Sequence, residues 1–149
     1  MIIRYAGEID LEFLEKGLLD VRTIEKRPAS DLPVSEEDTE SFLKGIEQRE
    51  IRVIDDENGQ PAAFMYHRTD FPIPYVHGDF LWIDILYVRE DCRGRGMGTA
   101  LYRDALRIAG EKGLDRVVID IFDANDRSKK FHGDLDFKPF YTIYIKERW

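Results

Sequence analysis

Apolar positions recur along this chain in two rhythms, and the switch between them marks out the elements. Leu11, Leu14, Leu18, Val21 and Ile24 fall three and four apart, the spacing that lines one face of a helix, and Asp10 stands before them as an N-cap. Met1 to Ala6, upstream, reads as a short opening strand. Pro28 and Pro33 bracket a polar loop, and Ser35 with Asp38 resembles a capping box that opens a second helix through Phe42, Leu43 and Ile46. The rhythm then shortens. Ile51, Val53 and Ile54 form one strand, Asn58-Gly59 supplies a turn, and Ala62 to His67 returns as the second arm of a hairpin.

A loop rich in proline and aromatics follows, Phe71-Pro72-Ile73-Pro74-Tyr75. Phe80 to Val88 is then a nearly unbroken apolar run, interrupted by Asp84, as expected of a central strand covered on both faces. Leu101, Ala105, Leu106, Ile108 and Ala109 trace the buried stripe of a helix ending near Gly113. Val117 to Phe122 reads as another buried strand, Asp126 to about Asp134 as a shorter helix, and Phe137 to Ile145 as a last strand. A strand, a crossover helix and a strand imply a right-handed parallel unit. The pattern predicts an α/β fold, a single domain over residues 1–149 with a mixed sheet and helices on both faces.

Composition narrows the class. The chain has 149 residues, 43% apolar and 35% charged, the balance of a soluble globular domain with a sizeable core. It has no run of eighteen apolar residues, and Met1-Ile2-Ile3-Arg4-Tyr5 lacks the marks of a signal peptide, so the expectation is a cytoplasmic protein without a membrane partner. One cysteine, Cys92, excludes an internal disulfide, and His67, His77 and His132 stand too far apart for a local zinc site, so no metal is expected. The formal net charge of −8 opposes a nucleic-acid partner. It suits a cationic small molecule, although excess acid more often serves solubility.

The informative segment runs from Leu86 to Leu101. It leaves a buried strand and enters a helix through Arg93-Gly94-Arg95-Gly96-Met97-Gly98-Thr99. First-turn amides of a helix have no internal partner and lie at the positive end of its dipole, so an anion is favoured there. Glycines let backbone approach a phosphate, and Arg93 and Arg95 add positive charge. A Walker loop would need a Gly-Lys-Ser/Thr ending, and a dinucleotide fingerprint needs Gly-x-Gly-x-x-Gly; neither occurs in this segment.

The spacing Arg93-x-x-Gly96-x-Gly98 resembles the Arg/Gln-x-x-Gly-x-Gly/Ala signature of the GNAT superfamily of acyl-CoA-dependent N-acetyltransferases. Leu86-Tyr87-Val88 upstream, and Asn125 with Phe131 to Phe137 downstream, extend the likeness, and the order of elements agrees over nearly the whole chain. The resemblance implies a GNAT-like fold with a splay between two central parallel strands. It implies acetyl-CoA as co-substrate, its pyrophosphate held by amides of Gly94, Arg95, Gly96, Met97, Gly98 and Thr99. The pantetheine arm would pair with the backbone of Leu86, Tyr87 and Val88, the amide of Val88 polarising the thioester carbonyl. The reaction implied is acetyl transfer to a primary amine, a small cationic amine or a peptide amine, by direct attack in a ternary complex.

Two positions depart from the family pattern. His132 stands where a proton-donating tyrosine is common, seven residues after Asn125, and Asp136 replaces the glycine of a usual Gly-Phe pair. As an imidazolium His132 could protonate the leaving thiolate; the other reading is a helix-end histidine without catalytic duty. Asp120 matches a base glutamate of the branch that acetylates protein N-termini, and Asp84 interrupts the other buried strand. Burial would raise either carboxylate toward a usable base, whereas pairing with an arginine or facing water would not. Asn125 can bond the pantetheine arm, cap the following helix, or both. Cys92 has no relay beside it. The acceptor site is expected from the first two helices and the loop Phe71 to Phe80, with Trp82 near; such a loop serves equally well as a homodimer contact or a lid on the core. The rival function is an acyl-CoA sensor of the same fold without turnover.

Overall fold

The structure, a computed structural model, describes residues 1–148. Its strands are β1 (Ile3–Tyr5), β2 (Ile51–Asp55), β3 (Pro61–Arg68), β4 (Leu81–Val88) and β5 (Val117–Ile119); its helices are α1 (Leu11–Ile24), α2 (Glu36–Glu47), α3 (Met97–Glu111) and α4 (Asp126–Asp134). The sheet runs β1-β2-β3-β4-β5, antiparallel as far as β4, with β5 parallel to β4.

Local chemistry accounts for the boundaries. Ser35 Oγ accepts from the Asp38 amide and Asp38 returns a bond to the Ser35 amide, so α2 starts on the capping box that its sequence spells. Asp10 does not cap α1 with its side chain. It accepts instead from the Gly7 amide at 2.8 Å and from the Arg4 guanidinium, closing a 3-10 turn ahead of the helix. Arg4 also bonds Asp55; against the opposing effect of burial, the Arg4 guanidinium and the Gly7 amide hold the Asp10 carboxyl below its ordinary range.

Side chains on β2 and β3 alternate between two cores, as a pleated sheet requires. Val53, Phe64 and Tyr66 face α1 and α2 with Leu14, Leu18 and Phe42, while Ile54, Ala63 and Met65 face α3 with Leu101, Ala105 and Ile108. β4 breaks the alternation: Leu81 and Ile83 belong to the α3 core, but Ile85 and Tyr87 belong to the other. The register shifts at that point, with Tyr66 opposite Ile85 and His67 opposite Ile83. Asp84 is therefore the extra residue of a β-bulge, which bends the strand and re-aims a side chain.

The bulge coincides with the parting of β4 and β5. Their pairing covers Leu81 to Ile83 against Val117 to Ile119, after which β4 continues alone to Val88. The sequence predicts β5 running on to Phe122, and it ends three residues earlier because its neighbour has bent away. A second expectation fails outright. Phe137 to Ile145 is not a strand: it pairs with nothing among the described residues and is exposed along most of its length. β-propensity needs a hydrogen-bonded partner to become a strand, and this segment forms no ladder with the sheet.

One buried ion pair ties β2 to α3. Arg52 and Asp104 meet at 2.8 Å with side chains 8% and 6% exposed, and Arg107 adds two bonds to the same carboxylate. Asp104→Ala leaves a buried guanidinium without its partner and is expected to cost about 3–5 kcal/mol. Urea denaturation checks this as a lower midpoint with an unchanged m-value.

Candidate functional site

The splay opens into a cavity of about 440 Å³. Its walls bring together nearly every residue singled out from the sequence: Asp84, Leu86, Tyr87, Val88, Arg93, Gly94, Gly96, Met97, Gly98, Thr99, Asp120, Asn125 and His132. Arg95 is exposed and stays outside that lining.

One end is the turn into α3. Gly94 and Gly96 adopt φ of 75° and 83°, the left-handed region that disfavours side chains, and a Cβ on either would meet nothing within 4 Å. Conformation, not crowding, therefore demands glycine there, and open space lies in front of the backbone. The first amide to close within the helix is that of Ala100, onto the Gly96 carbonyl; those of Met97, Gly98 and Thr99 precede it and have no helical acceptor. Gly98 has a different reason. A Cβ there would sit 3.4 Å from the Phe131 ring of α4, so its absence lets the two helix starts approach. Arg93 donates from Nε to the Val88 carbonyl at 2.9 Å and pins the turn to the end of β4.

The middle of the cavity is the unpaired edge of β4. Adjacent amides in a strand point to opposite edges. The Arg89 amide donates to the Ala62 carbonyl on the β3 side, so the Val88 amide points the other way, into the splay.

The far end holds the ionisable groups. Asp84 has its pKa pushed up to about 6, mainly by burial and further by the charge of Asp120, against the pull of Arg68 at 3.7 Å. Asp120 is exposed and accepts from the Trp82 indole at 2.8 Å, while Trp82 stacks on Phe71 with ring centroids 4.4 Å apart. His132 is buried edge-on between Phe131 and Phe137, and its Nδ1 lies 2.8 Å from the Ser128 carbonyl. Burial lowers its pKa, so the neutral ring is favoured, with the proton on Nδ1 facing that carbonyl. Asn125 Oδ1 accepts from the Ser128 amide and caps α4.

A strand splay floored by free helix amides is a place for a diphosphate on an extended arm. The sequence profile described as the Acetyltransferase (GNAT) family matches residues 18–137. The chain belongs to the GNAT acetyltransferase family. As a GNAT protein it is an acetyl-CoA-dependent acyltransferase. YwnH of Bacillus subtilis (strain 168), provisionally named a phosphinothricin acetyltransferase, is 33% identical over 147 residues, which cover 96% of this chain and 89% of that protein. Among solved structures, a mutant of the BH1408 protein from Bacillus halodurans superposes with a TM-score of 0.81 at 22% identity, over 100% of both chains. AAC(6')-Iy, solved with a bisubstrate analogue, CoA-S-monomethyl-acetylneamine, gives 0.71 at 17% identity over 99% of this chain and 98% of that one. At such identities these two structures speak for the GNAT fold alone.

Of the elements expected around the acceptor site, α1 lines the cavity through Val21, Ile24 and, just past its end, Glu25, whereas α2 and the loop 71–80 supply none of its lining residues. The stripe Leu18, Val21, Ile24 carried a hint, since Ile24 is 37% exposed and lies beyond the core that Leu14 and Leu18 fill. Sequence reasoning missed Arg127, Ser128 and Phe131 as lining residues, because only the fold brings the first turns of α4 against the splay. Among the described residues, no helix is long and apolar enough to cross a membrane.

Proposed function

We propose that this chain acetylates a primary amine on a small molecule by direct attack within a ternary complex, with Asp84 as the general base. The observation that carries the reading is the placement of two chemistries in one cavity. Free amides at the start of α3 stand at one end, and a bulged carboxylate with its pKa raised to about 6 stands at the other, with the bare edge of β4 between them.

Acetyl-CoA supplies an activated acetyl group. The amides of Gly94 to Thr99 fit its diphosphate, the edge from Leu86 to Val88 fits the amides of its arm, and the Val88 amide is aimed to stabilise charge developing on the carbonyl oxygen. Asp84, deprotonated above pH 6, takes a proton from the incoming ammonium, directly or through one water. Asp120 acts through Trp82 as a positioning residue. His132, neutral with its proton turned to Ser128, presents only an acceptor at Nε2, so the departing thiolate takes its proton from water. Asn125 spends its side-chain oxygen on the α4 cap and has its amide nitrogen to offer the arm.

The carboxylates of Asp84 and Asp120, which both line the cavity, favour an acceptor that arrives positively charged. The names of similar proteins, which point to phosphinothricin and neamine, supply amines of contrasting charge for a panel. Thiol release from acetyl-CoA is expected with at least one small cationic amine and at a lower rate with amino-acid amines. Stabilisation by CoA with no thiol release on any amine would instead favour the sensor reading.

A further inference from the structure

Charged groups from three elements face the Asp84 carboxyl. Arg68 comes from the end of β3, Asp120 follows β5, and Glu25 and Arg27 follow α1. Arg27 and Glu25 are ion-paired to each other, so their charges largely offset. Asp120 adds a negative charge and accepts from the neutral Trp82 indole. Among the described residues, Arg68 is therefore the cation left to balance Asp84.

The two nevertheless do not bond. Arg68 Nε stops 3.7 Å from Asp84 Oδ2, whereas every other ion pair among the described residues closes to 2.9 Å or less. Asp84 accepts no side-chain hydrogen bond from any described residue. Neutral groups account for the gap. Arg68 Nη2 donates to Ser41 Oγ on α2 at 2.7 Å and to the Tyr66 hydroxyl at 3.0 Å. That hydroxyl donates onward to the Ser41 carbonyl, and the guanidinium lies 4.6 Å from the centre of the Tyr66 ring. None of these partners carries a charge, so the guanidinium is oriented without being neutralised.

That arrangement suits a base. A contact ion pair would occupy a carboxylate lone pair and hold the carboxyl well below its ordinary range. With no cation nearby, a half-buried carboxyl would keep its proton to a higher pH. A cation held just beyond bonding distance avoids both. Arg68 does not line the cavity, so its influence passes through Asp84.

We infer that Arg68, anchored by Ser41 and Tyr66, is a positioning residue that keeps the Asp84 carboxylate ionised and uncapped for acetyl transfer. The inference rests on Asp84 being the base. It gives α2 a part in the reaction through Ser41, although no residue of that helix reaches the cavity.

Two substitutions on this tether should act in opposite directions. Carboxyl ¹³C NMR of the full chain reads the Asp84 titration with no amine present, and the pH profile of kcat/KM reads its effect on the rate. Arg68→Gln removes the cation and is expected to raise both midpoints by about one pH unit. Ser41→Ala releases the guanidinium toward Asp84. Both midpoints are then expected to fall, and kcat above them to drop about 3–10-fold as a lone pair is capped. A merely structural role would not displace the two variants in opposite directions. An Asp84 midpoint unchanged in folded Arg68→Gln overturns the inference, and so does displacement of both variants the same way. Should Arg68→Gln fail to fold, Ser41→Ala decides alone, and an unmoved midpoint there is equally fatal. If the NMR midpoint moves while the rate profile stays put, Asp84 is not the base, and the inference falls with that assignment.

Discussion

Gly96→Val is expected to raise the dissociation constant for CoA by about 10²–10³-fold while the protein stays folded. Two effects combine. Gly96 sits at φ 83° as the N-cap of α3, where a β-branched residue costs roughly 1–2 kcal/mol or forces the turn to another conformation. A turn that relaxes withdraws the amides of Met97 to Thr99 from the diphosphate, and each hydrogen bond to a charged group is worth about 1.5–3 kcal/mol. Loss of the equivalent of two such bonds, about 3–4 kcal/mol, corresponds to the stated loss at 1.4 kcal/mol per tenfold. Calorimetric titration with CoA reads it directly. Gly59→Val is the control, because Gly59 has φ 76° in the β2–β3 turn, so the backbone penalty is the same and CoA affinity should not move. An unchanged affinity in the Gly96 variant would sink the phosphate cradle.

The glycine turn that opens α3 was legible because its signal is local. A strand end, glycines and arginines within a few residues announce a helix start whose amides are free, and nothing distant is needed to see it. The same holds for the Ser35 capping box and the Asn58-Gly59 turn, each written within four residues. What the sequence hides is whatever depends on register. Asp84 and Asp120 look alike on paper, each a lone carboxylate in an apolar run. Both line the cavity, but a bulge half-buries the first, while the second emerges exposed past the end of β5 and accepts a bond from Trp82. His132 is a similar case. Its sequence position suggests a proton donor, but Phe131 and Phe137 enclose the ring and favour its neutral form. The unpaired residues 137–148 mark the other limit, since strand propensity describes what a segment can do once an edge is offered and does not say which edge.

Asp84→Asn separates activity from stability in opposite directions. Removal of a general base is expected to lower kcat by roughly 10²–10⁴-fold. The pH dependence carries the diagnosis. A base must be ionised to act, so native kcat/KM should rise with pH up to about 6 and then level off, and the asparagine variant should lack that limb. The stability argument runs the other way. The carboxyl has a folded pKa near 6 against 3.8 for the free group, so the native state holds the proton more tightly, and stability declines as pH climbs between those values. Above pH 6 the whole penalty is present, and a neutral amide of the same shape escapes it. At 1.36 kcal/mol per unit the shift corresponds to at most about 3 kcal/mol. Arg68 and the 27% exposure of the side chain reduce the expected gain to about 1–2 kcal/mol. Urea midpoints should therefore favour the variant at pH 8, and the two proteins should converge near pH 4. If turnover were untouched, the carboxylate would be a strained structural residue only. If turnover fell without the stability gain, Asp84 would be better solvated than its place in the bulge implies, and its basicity would need another source.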